Sequence, residues 1–122
     1  MPKALIVDDS RQIADSMVNM LAFFDIEARP AYGARAALNA LKEMTPSIVF
    51  LDLNMPGLTG FEVLSYLRRE PHLELVPVIV VTSDDQPESA ELAMQRGASS
   101  YVIKPMTLDV LESTLKTLDL IP

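Results

Sequence analysis

The sequence contains no cysteine, no tryptophan, four glycines and one histidine. The absence of cysteine excludes a disulfide framework and any metal site built on thiolates. A lone histidine cannot supply the several ligands of a zinc site, so His72 is interpreted as a surface residue. The few glycines do not form the G-x-G-x-x-G or G-x-x-x-x-G-K-[ST] patterns of nucleotide-binding loops, which counts against a nucleotide- or flavin-binding module.

Basic residues are scarce as well. The chain has 10 Lys and Arg against 17 Asp and Glu, a formal net charge of −7. Such a chain repels nucleic acid and anionic lipid, so we expect neither as a direct partner. No uncharged stretch approaches the ~20 residues of a transmembrane helix, and the N-terminus lacks the apolar region of a signal peptide. We therefore expect one cytoplasmic domain, residues 1–122, with no membrane contact.

Short apolar runs alternate with segments of helical periodicity. The predicted strands are residues 3–7, 26–30, 47–51, 76–81 and 100–103. Strands that alternate with helices predict an α/β fold, a doubly wound (βα)5 sandwich around a five-stranded parallel sheet. The second run carries Glu27, Arg29 and Pro30, which suits an edge strand. We predict the flavodoxin-like strand order 2-1-3-4-5, with a switch point between strands one and three.

The helical segments differ in how much apolar surface they offer. The fourth helix, between Pro87 and Gly97, is mostly alanine on its inner side and should be held less firmly than the others. The predicted buried positions of the other four helices are Ile13, Met17, Leu21 and Phe24; Ala34, Ala37, Leu38 and Leu41; Phe61, Leu64 and Leu67; and Leu108, Leu111, Leu115 and Leu118.

Polar residues follow four of the strands. Asp8 and Asp9 end the first, Asp52 the third, Thr82 the fourth and Lys104 the fifth. Each has an ordinary explanation alone, as a turn residue, helix cap or surface lysine. Parallel strands end at one edge of a sheet, which is where ligands bind in open α/β folds. One shared site explains all of these residues at once, whereas separate ordinary explanations would have to coincide at equivalent positions of four strands.

The chemistry of this group points to a cation and a phosphate. Carboxylates about 4 Å apart repel by several kcal/mol at an effective dielectric near 20, and a hard divalent cation relieves that repulsion. A few carboxylates with room for water suit Mg²⁺. The cation and Lys104 would together neutralise a phosphate, and Asp52 is a candidate carboxylate nucleophile.

These residues, taken together, resemble the receiver domain of two-component response regulators over the whole chain. The matching segments are Val7-Asp8-Asp9, Leu51-Asp52, Met55-Pro56-Gly57, Val81-Thr82-Ser83, Tyr101 and Lys104-Pro105. One departure is Ser83, where the family commonly has Ala or Gly. The extra hydroxyl is expected to slow phosphoryl access without disturbing the site.

The resemblance implies a role for each matching residue. Asp52 would accept a phosphoryl group from a sensor histidine kinase or a phosphotransfer protein. Asp9 and Asp52 would bind Mg²⁺ directly, Asp8 through water, and Asn54 through its backbone carbonyl.

The resemblance also assigns the remaining residues. Thr82 and Lys104 would bind phosphoryl oxygens, and Tyr101 would turn inward when Thr82 moves. The Lys104–Pro105 peptide bond would be cis. The helix four, strand five and helix five surface would then control a downstream effector or form a self-dimer.

Two alternatives remain at this point. A phosphatase of the haloacid-dehalogenase type also uses a strand-end aspartate and Mg²⁺, but it needs a general acid two residues later, where this chain has Asn54. The second alternative is a receiver cut from a larger protein. The simpler expectation is a stand-alone regulator that catalyses only its own phosphorylation and dephosphorylation and is not otherwise an enzyme.

Overall fold

The computed structural model describes residues 3–55, 57 and 59–122. Its elements are β1 Lys3–Val7, α1 Arg11–Ala22, β2 Glu27–Ala31, α2 Ala34–Glu43, β3 Ile48–Leu51, α3 Gly60–Arg69, β4 Val78–Thr82, α4 Pro87–Gln95, β5 Ser100–Ile103 and α5 Leu108–Thr117. All neighbouring strands pair in parallel, in the order β2-β1-β3-β4-β5. The predicted fold class and strand order are confirmed.

The sheet separates two apolar clusters. Side chains alternate along each central strand, so Val49 and Leu51 face one cluster while Ile48 and Phe50 face the other. Helices α2 to α4 cover the first cluster, and α1 and α5 cover the second. Because both faces are covered, β1, β3 and β4 are apolar nearly throughout. The rigid sheet formed in this way fixes the positions of the residues that follow each strand.

Some predicted boundaries and buried positions are wrong. Strand β4 begins at Val78, two residues later than predicted, because Pro77 has no N–H and offers only its carbonyl, which accepts from Val49 N at 2.9 Å. In α1 the helical period places Ala14, Met17 and Leu21 against the sheet. This arrangement leaves Ile13 37% exposed, so its predicted place in the core is incorrect. Leu108, at the first turn of α5, is likewise 40% exposed.

Helix α4 buries little apolar surface, in line with the alanine-rich inner side that its sequence shows. Pro87 occupies its first turn and Gly97, with φ +104°, follows its C-terminus. Ala93 is its one buried residue. No helix among the described residues is long and apolar enough to cross a membrane. Pro56, the middle residue of the matching segment Met55-Pro56-Gly57, lies outside the described residues.

Candidate functional site

Backbone hydrogen bonds extend the sheet by one residue beyond the strand ends. Asp8 N donates to Ala31 O at 3.2 Å, and Asp52 N donates to Val7 O at 2.9 Å. Lys104 N donates to Thr82 O at 2.8 Å. The parallel ladder therefore delivers Asp8, Asp52 and Lys104 to one edge of the sheet, where their side chains converge.

Three carboxylates meet at this edge. One oxygen from each of Asp8, Asp9 and Asp52 lies within 4.8 Å of the others. Asp8 and Asp52 are buried, whereas Asp9 is exposed. The buried pair is held by backbone donors, since Asp8 Oδ1 accepts from Ser10 N at 2.9 Å and Asp52 Oδ1 accepts from Asn54 N at 3.2 Å. Fixed, closely spaced carboxylates of this kind are hard oxygen donors that fit a divalent cation such as Mg²⁺.

Lys104 closes the site from the side of β5. Its Nζ lies 3.0 Å from Asp8 Oδ2 and 3.2 Å from Asp52 Oδ2, and its side chain is mostly buried. The Lys104–Pro105 peptide bond is cis, in agreement with the implication of the resemblance. One ammonium group is therefore shared between two buried carboxylates.

Burial and charge act on these groups in opposite directions. Burial raises the pKa of Asp52 above its ordinary value of 3.8, while the charge and hydrogen bond of Lys104 and the N–H of Asn54 oppose the rise. Burial alone would lower the pKa of Lys104, but its hydrogen bonds and ion pairs with Asp8 and Asp52 outweigh this and raise it. Lys104 therefore stays cationic at neutral pH and neutralises part of the carboxylate charge.

Thr82 and Tyr101 are both tied to Asp84, in the loop between β4 and α4. Thr82 is fully buried, and its Oγ1 accepts from Asp84 N at 3.3 Å and from Asn54 Nδ2 at 3.5 Å. The Tyr101 hydroxyl donates to Asp84 O at 2.7 Å. Tyr101 is half-buried and packs against the cluster beneath α2 to α4. One short loop thus connects the site residue Thr82 to the ring of Tyr101.

An apolar groove of about 460 Å³ opens beside the site. Its walls come from α1, from Val81 and from the segment that follows β5. Lys104 lines both this groove and the carboxylate cluster. The lining residues are Gln12, Ile13, Ser16, Met17, Met20, Val81, Lys104, Pro105 and Met106.

The side chains predicted to act at the site lie together at this edge of the sheet, namely those of Asp8, Asp9, Asp52, Thr82 and Lys104. Tyr101 is connected to them through Asp84. Sequence reasoning missed the sharing of Lys104 between two carboxylates and the contact of the Asn54 side chain with Thr82. It also missed the groove, which the partly exposed side chain of Ile13 lines. All of these join residues far apart in the chain, and no local pattern of residues signals them.

Comparisons with known proteins agree with this geometry. The family model described as "Response regulator receiver domain" matches residues 4–116. A protein of Vibrio cholerae serotype O1 named "Probable cyclic di-GMP phosphodiesterase" is 36% identical over 114 residues, which are 93% of this chain but only 25% of that protein. The chain therefore spans about a quarter of the length of this curated relative.

Solved structures extend the likeness to the fold. The chemotaxis protein CheY4 of Vibrio cholerae superposes with a TM-score of 0.89 at 29% identity, covering 96% of this chain and 98% of that one. The response regulator TrrA of Thermotoga maritima, solved in complex with Mg²⁺-BeF, has a TM-score of 0.85 at 28% identity, covering 97% and 99%. The haloacid-dehalogenase alternative finds no support among these relatives. By its strand-end residues, fold and matched length, the chain belongs to the response regulator receiver domain family.

Proposed function

We propose that this domain is a phosphorylation-activated switch in which Asp52 accepts a phosphoryl group. The observation that carries the proposal is the position of Asp52, buried at the end of a central strand, with Lys104 at 3.2 Å and the carboxylates of Asp8 and Asp9 beside it. A carboxylate held in this way is a fixed nucleophile, and the ammonium beside it is placed to receive negative charge.

In the phosphoryl transfer, the main task of the protein is to position the reacting groups and to stabilise the developing charge. A side-chain oxygen of Asp52 attacks the phosphorus of a phosphohistidine, and the new O–P bond forms as the N–P bond breaks. The released histidine nitrogen takes a proton from water. Lys104 Nζ and the Thr82 hydroxyl stabilise the phosphoryl oxygens as charge develops on them.

Asp9 and Asp52 would hold the cation directly, Asp8 through water, and Asn54 through its backbone carbonyl. When bound, Mg²⁺ would supply charge neutralisation for the carboxylates and the phosphoryl oxygens. The donor set supports this assignment because it consists of oxygen ligands only, with one exposed carboxylate, Asp9, open to solvent. The relative solved with Mg²⁺-BeF is consistent with it.

The donor is proposed to be a histidine kinase or a phosphotransfer protein. Its histidine must approach Asp52 along the open edge of the sheet. The apolar groove between α1 and Pro105 borders that approach and shares Lys104 with the site, so it offers a docking surface for the donor. We also infer that the domain itself performs no turnover of small substrates and acts in the cytoplasm.

The output surface is proposed to be α4, β5 and α5. Both Thr82 and Tyr101 bind Asp84, so a Thr82 hydroxyl that swings toward a phosphoryl oxygen would free one of the contacts on that loop. Helix α4 follows the loop and buries only Ala93, which makes its displacement inexpensive. Phosphorylation would shift the population between two packings of this surface, where a downstream partner binds.

Phosphoramidate, a small phosphoryl donor, tests the proposal. Mass spectrometry should detect one added phosphoryl group in the presence of Mg²⁺ and none with EDTA. The Asp52→Asn protein should gain none, while Asp85→Asn, which changes an exposed carboxylate nearby, should behave as the original. Gain of the group by Asp52→Asn at the original rate would overturn the assignment.

A further inference from the structure

The exposed side chains at the outer edge of the sheet form one surface, here called the edge face and defined as the exposed residues of 85–94, Ile103 and 108–110. Strand β5 is the outermost strand. Helix α4 packs through Ala93 into one apolar cluster, and α5 packs through Leu111 and Leu115 into the other. The two helices therefore border the same strand from opposite sides of the sheet.

Each element of the edge face exposes apolar side chains. Met94 of α4 is 47% exposed, Ile103 of β5 is 50% exposed and Val110 of α5 is 39% exposed. Ile103 lies two residues after Tyr101, and alternation along a strand puts both on the α4 side of β5. Apolar groups from three adjacent elements at one edge offer more contact area than isolated surface residues do.

The charges around these apolar groups are of one sign. Asp85, Glu88, Glu91 and Asp109 are exposed, and in the part of the chain that the structure describes none of them pairs with a lysine or arginine.

The cations of this part of the sequence are engaged elsewhere. Lys104 lies between Asp8 and Asp52, and Lys116 pairs with Glu112 of its own helix at 3.4 Å. The guanidinium of Arg96 stacks over Phe61 of α3 at 5.2 Å. The edge face itself contains no lysine or arginine, and among the described residues no ion pair reaches its carboxylates.

We infer that the partner of the edge face is a protein segment whose side chains are basic and apolar. This inference rests on the proposed function, because it names the chemistry of the partner that the switch controls. A basic partner neutralises the free carboxylates while its apolar groups cover Met94, Ile103 and Val110.

A second copy of this chain fits the edge face poorly. A two-fold dimer places the same surface of each subunit against the other. Here such an interface would bring unpaired carboxylates together, and the edge face has no lysine or arginine of its own to neutralise them. The charge pattern therefore favours a basic partner over self-association.

The site can reach this surface through one loop. Asp84, which binds both Thr82 and Tyr101, directly precedes Asp85 of the edge face. Phosphorylation also adds roughly −1.5 to −2 charges to the domain. The added negative charge should raise the affinity of a basic segment for the phosphorylated state, and the Asp84 loop connects the site to the surface that the segment binds.

The test uses an amphipathic peptide of Leu and Lys, about 18 residues or five helical turns long. The protein is held in its activated form with Mg²⁺ and beryllofluoride, and binding is followed by backbone NMR shifts. We expect shifts at residues 85–94, 103 and 108–110, together with weaker binding at high salt. A peptide with Glu in place of every Lys should not bind.

Two triple variants, each with three carboxylates neutralised, distinguish binding at the edge face from general attraction of a basic peptide to an acidic protein. The Glu88→Gln, Glu91→Gln, Asp109→Asn protein should bind the Lys peptide about tenfold more weakly. The Glu43→Gln, Glu70→Gln, Glu74→Gln protein should bind it nearly as the original does. Equal loss in both variants, or shifts spread over the whole surface, would overturn the inference.

Two further outcomes count against the inference without touching the proposed function. Equal binding by the Glu peptide would show that apolar contact alone decides affinity. Formation of a dimer on activation, blocked by Met94→Glu and measured by light scattering, would assign the surface to a second copy. Phosphoryl transfer to Asp52 is measured separately by mass, so its failure is distinguishable from failure of the partner assignment.

Discussion

Arg68 of α3 donates from Nε to the carbonyl oxygen of Gly97 at 3.0 Å, which fastens the end of α4 to its neighbour. The same guanidinium donates from Nη1 to Glu74 O at 3.0 Å. Burial lowers the pKa of Arg68 from its ordinary value, although not enough to remove the charge at neutral pH. Helix α4 buries only Ala93, and the hydrogen bond from Arg68 to Gly97 is a further attachment at its C-terminal end.

Replacing Arg68 with Met should destabilise the fold by about 1–3 kcal/mol, because partly buried carbonyl groups lose a charged donor. Arg69 is the matched control, as it is the next residue in the helix and is exposed. The Arg69→Met protein should stay within about 0.5 kcal/mol of the original. Urea denaturation measures both, and equal free energies of unfolding for the two variants would contradict the role of Arg68.

Gly97→Ala should also destabilise the fold, for two reasons. Its φ of +104° is unfavourable for a side chain, and an added Cβ would lie 2.9 Å from Arg68 Nε. In an Arg68→Ala protein the close contact with the added Cβ is absent. The loss in free energy of unfolding caused by Gly97→Ala should therefore be smaller by about 0.5–3 kcal/mol. Gly33 is the control, since it has φ +111° with open space around the added Cβ. The effects of Gly33→Ala and Arg68→Ala on the free energy of unfolding should be additive. A non-additive effect of this pair would contradict the explanation by a contact between the Cβ and Arg68.

The stability of the domain without metal should depend on the protonation of Asp52. Its pKa is raised in the folded state, so the folded protein favours the protonated form. That stabilising contribution is fully present below pH 3.8 and is lost as pH rises through the folded pKa. The Asp52→Asn protein avoids the buried charge and should gain stability relative to the original as pH rises through this window. A stability difference that does not change with pH, in EDTA, would contradict this prediction, and Asp85→Asn serves as the control.

Adding Mg²⁺ should make the original protein more stable than the Asp52→Asn protein. A ligand at about 100 times its dissociation constant stabilises the folded state by about 2.7 kcal/mol. The original protein should show this gain in thermal denaturation, while Asp52→Asn and Asp9→Asn should show much less. NaCl at the same ionic strength controls for general screening, because a monovalent cation screens charge without requiring the three-carboxylate site. Equal gains in all three proteins would place the cation elsewhere.

The connection through Asp84 predicts how activation spreads. Beryllofluoride with Mg²⁺ should shift the backbone NMR signals of Tyr101 and of residues 86–96 in the original protein. Thr82→Ser keeps the hydroxyl and should preserve the spread, whereas Thr82→Val should confine the shifts to the edge of the sheet around Asp52. Tyr101→Phe should alter the signals at Asp84 even without activation, because it removes the 2.7 Å hydrogen bond. Shifts of equal extent in the Ser and Val proteins would argue against a role for the hydroxyl.

Local patterns were enough to predict the fold. The apolar runs before Asp8, Asp52 and Thr82 specify central strands, and the charged run around Arg29 specifies an edge. Because parallel strands end at one edge, the same patterns also predict that Asp8, Asp9, Asp52, Thr82 and Lys104 lie close together. The specific roles of these residues came from the family resemblance, since spacing alone does not distinguish a metal ligand from a helix cap.

Only the tertiary structure determined which groups form hydrogen bonds and ion pairs with these side chains. The sharing of Lys104 between Asp8 and Asp52, the joint binding of Thr82 and Tyr101 to Asp84, and the attachment of Gly97 by Arg68 each join distant parts of the chain. Hydrophobic periodicity reports which face of an element is buried, and it carries no information on hydrogen bonds or ion pairs between elements. Those depend on the angles and separations of the packed helices and strands, which exist only once the chain has folded.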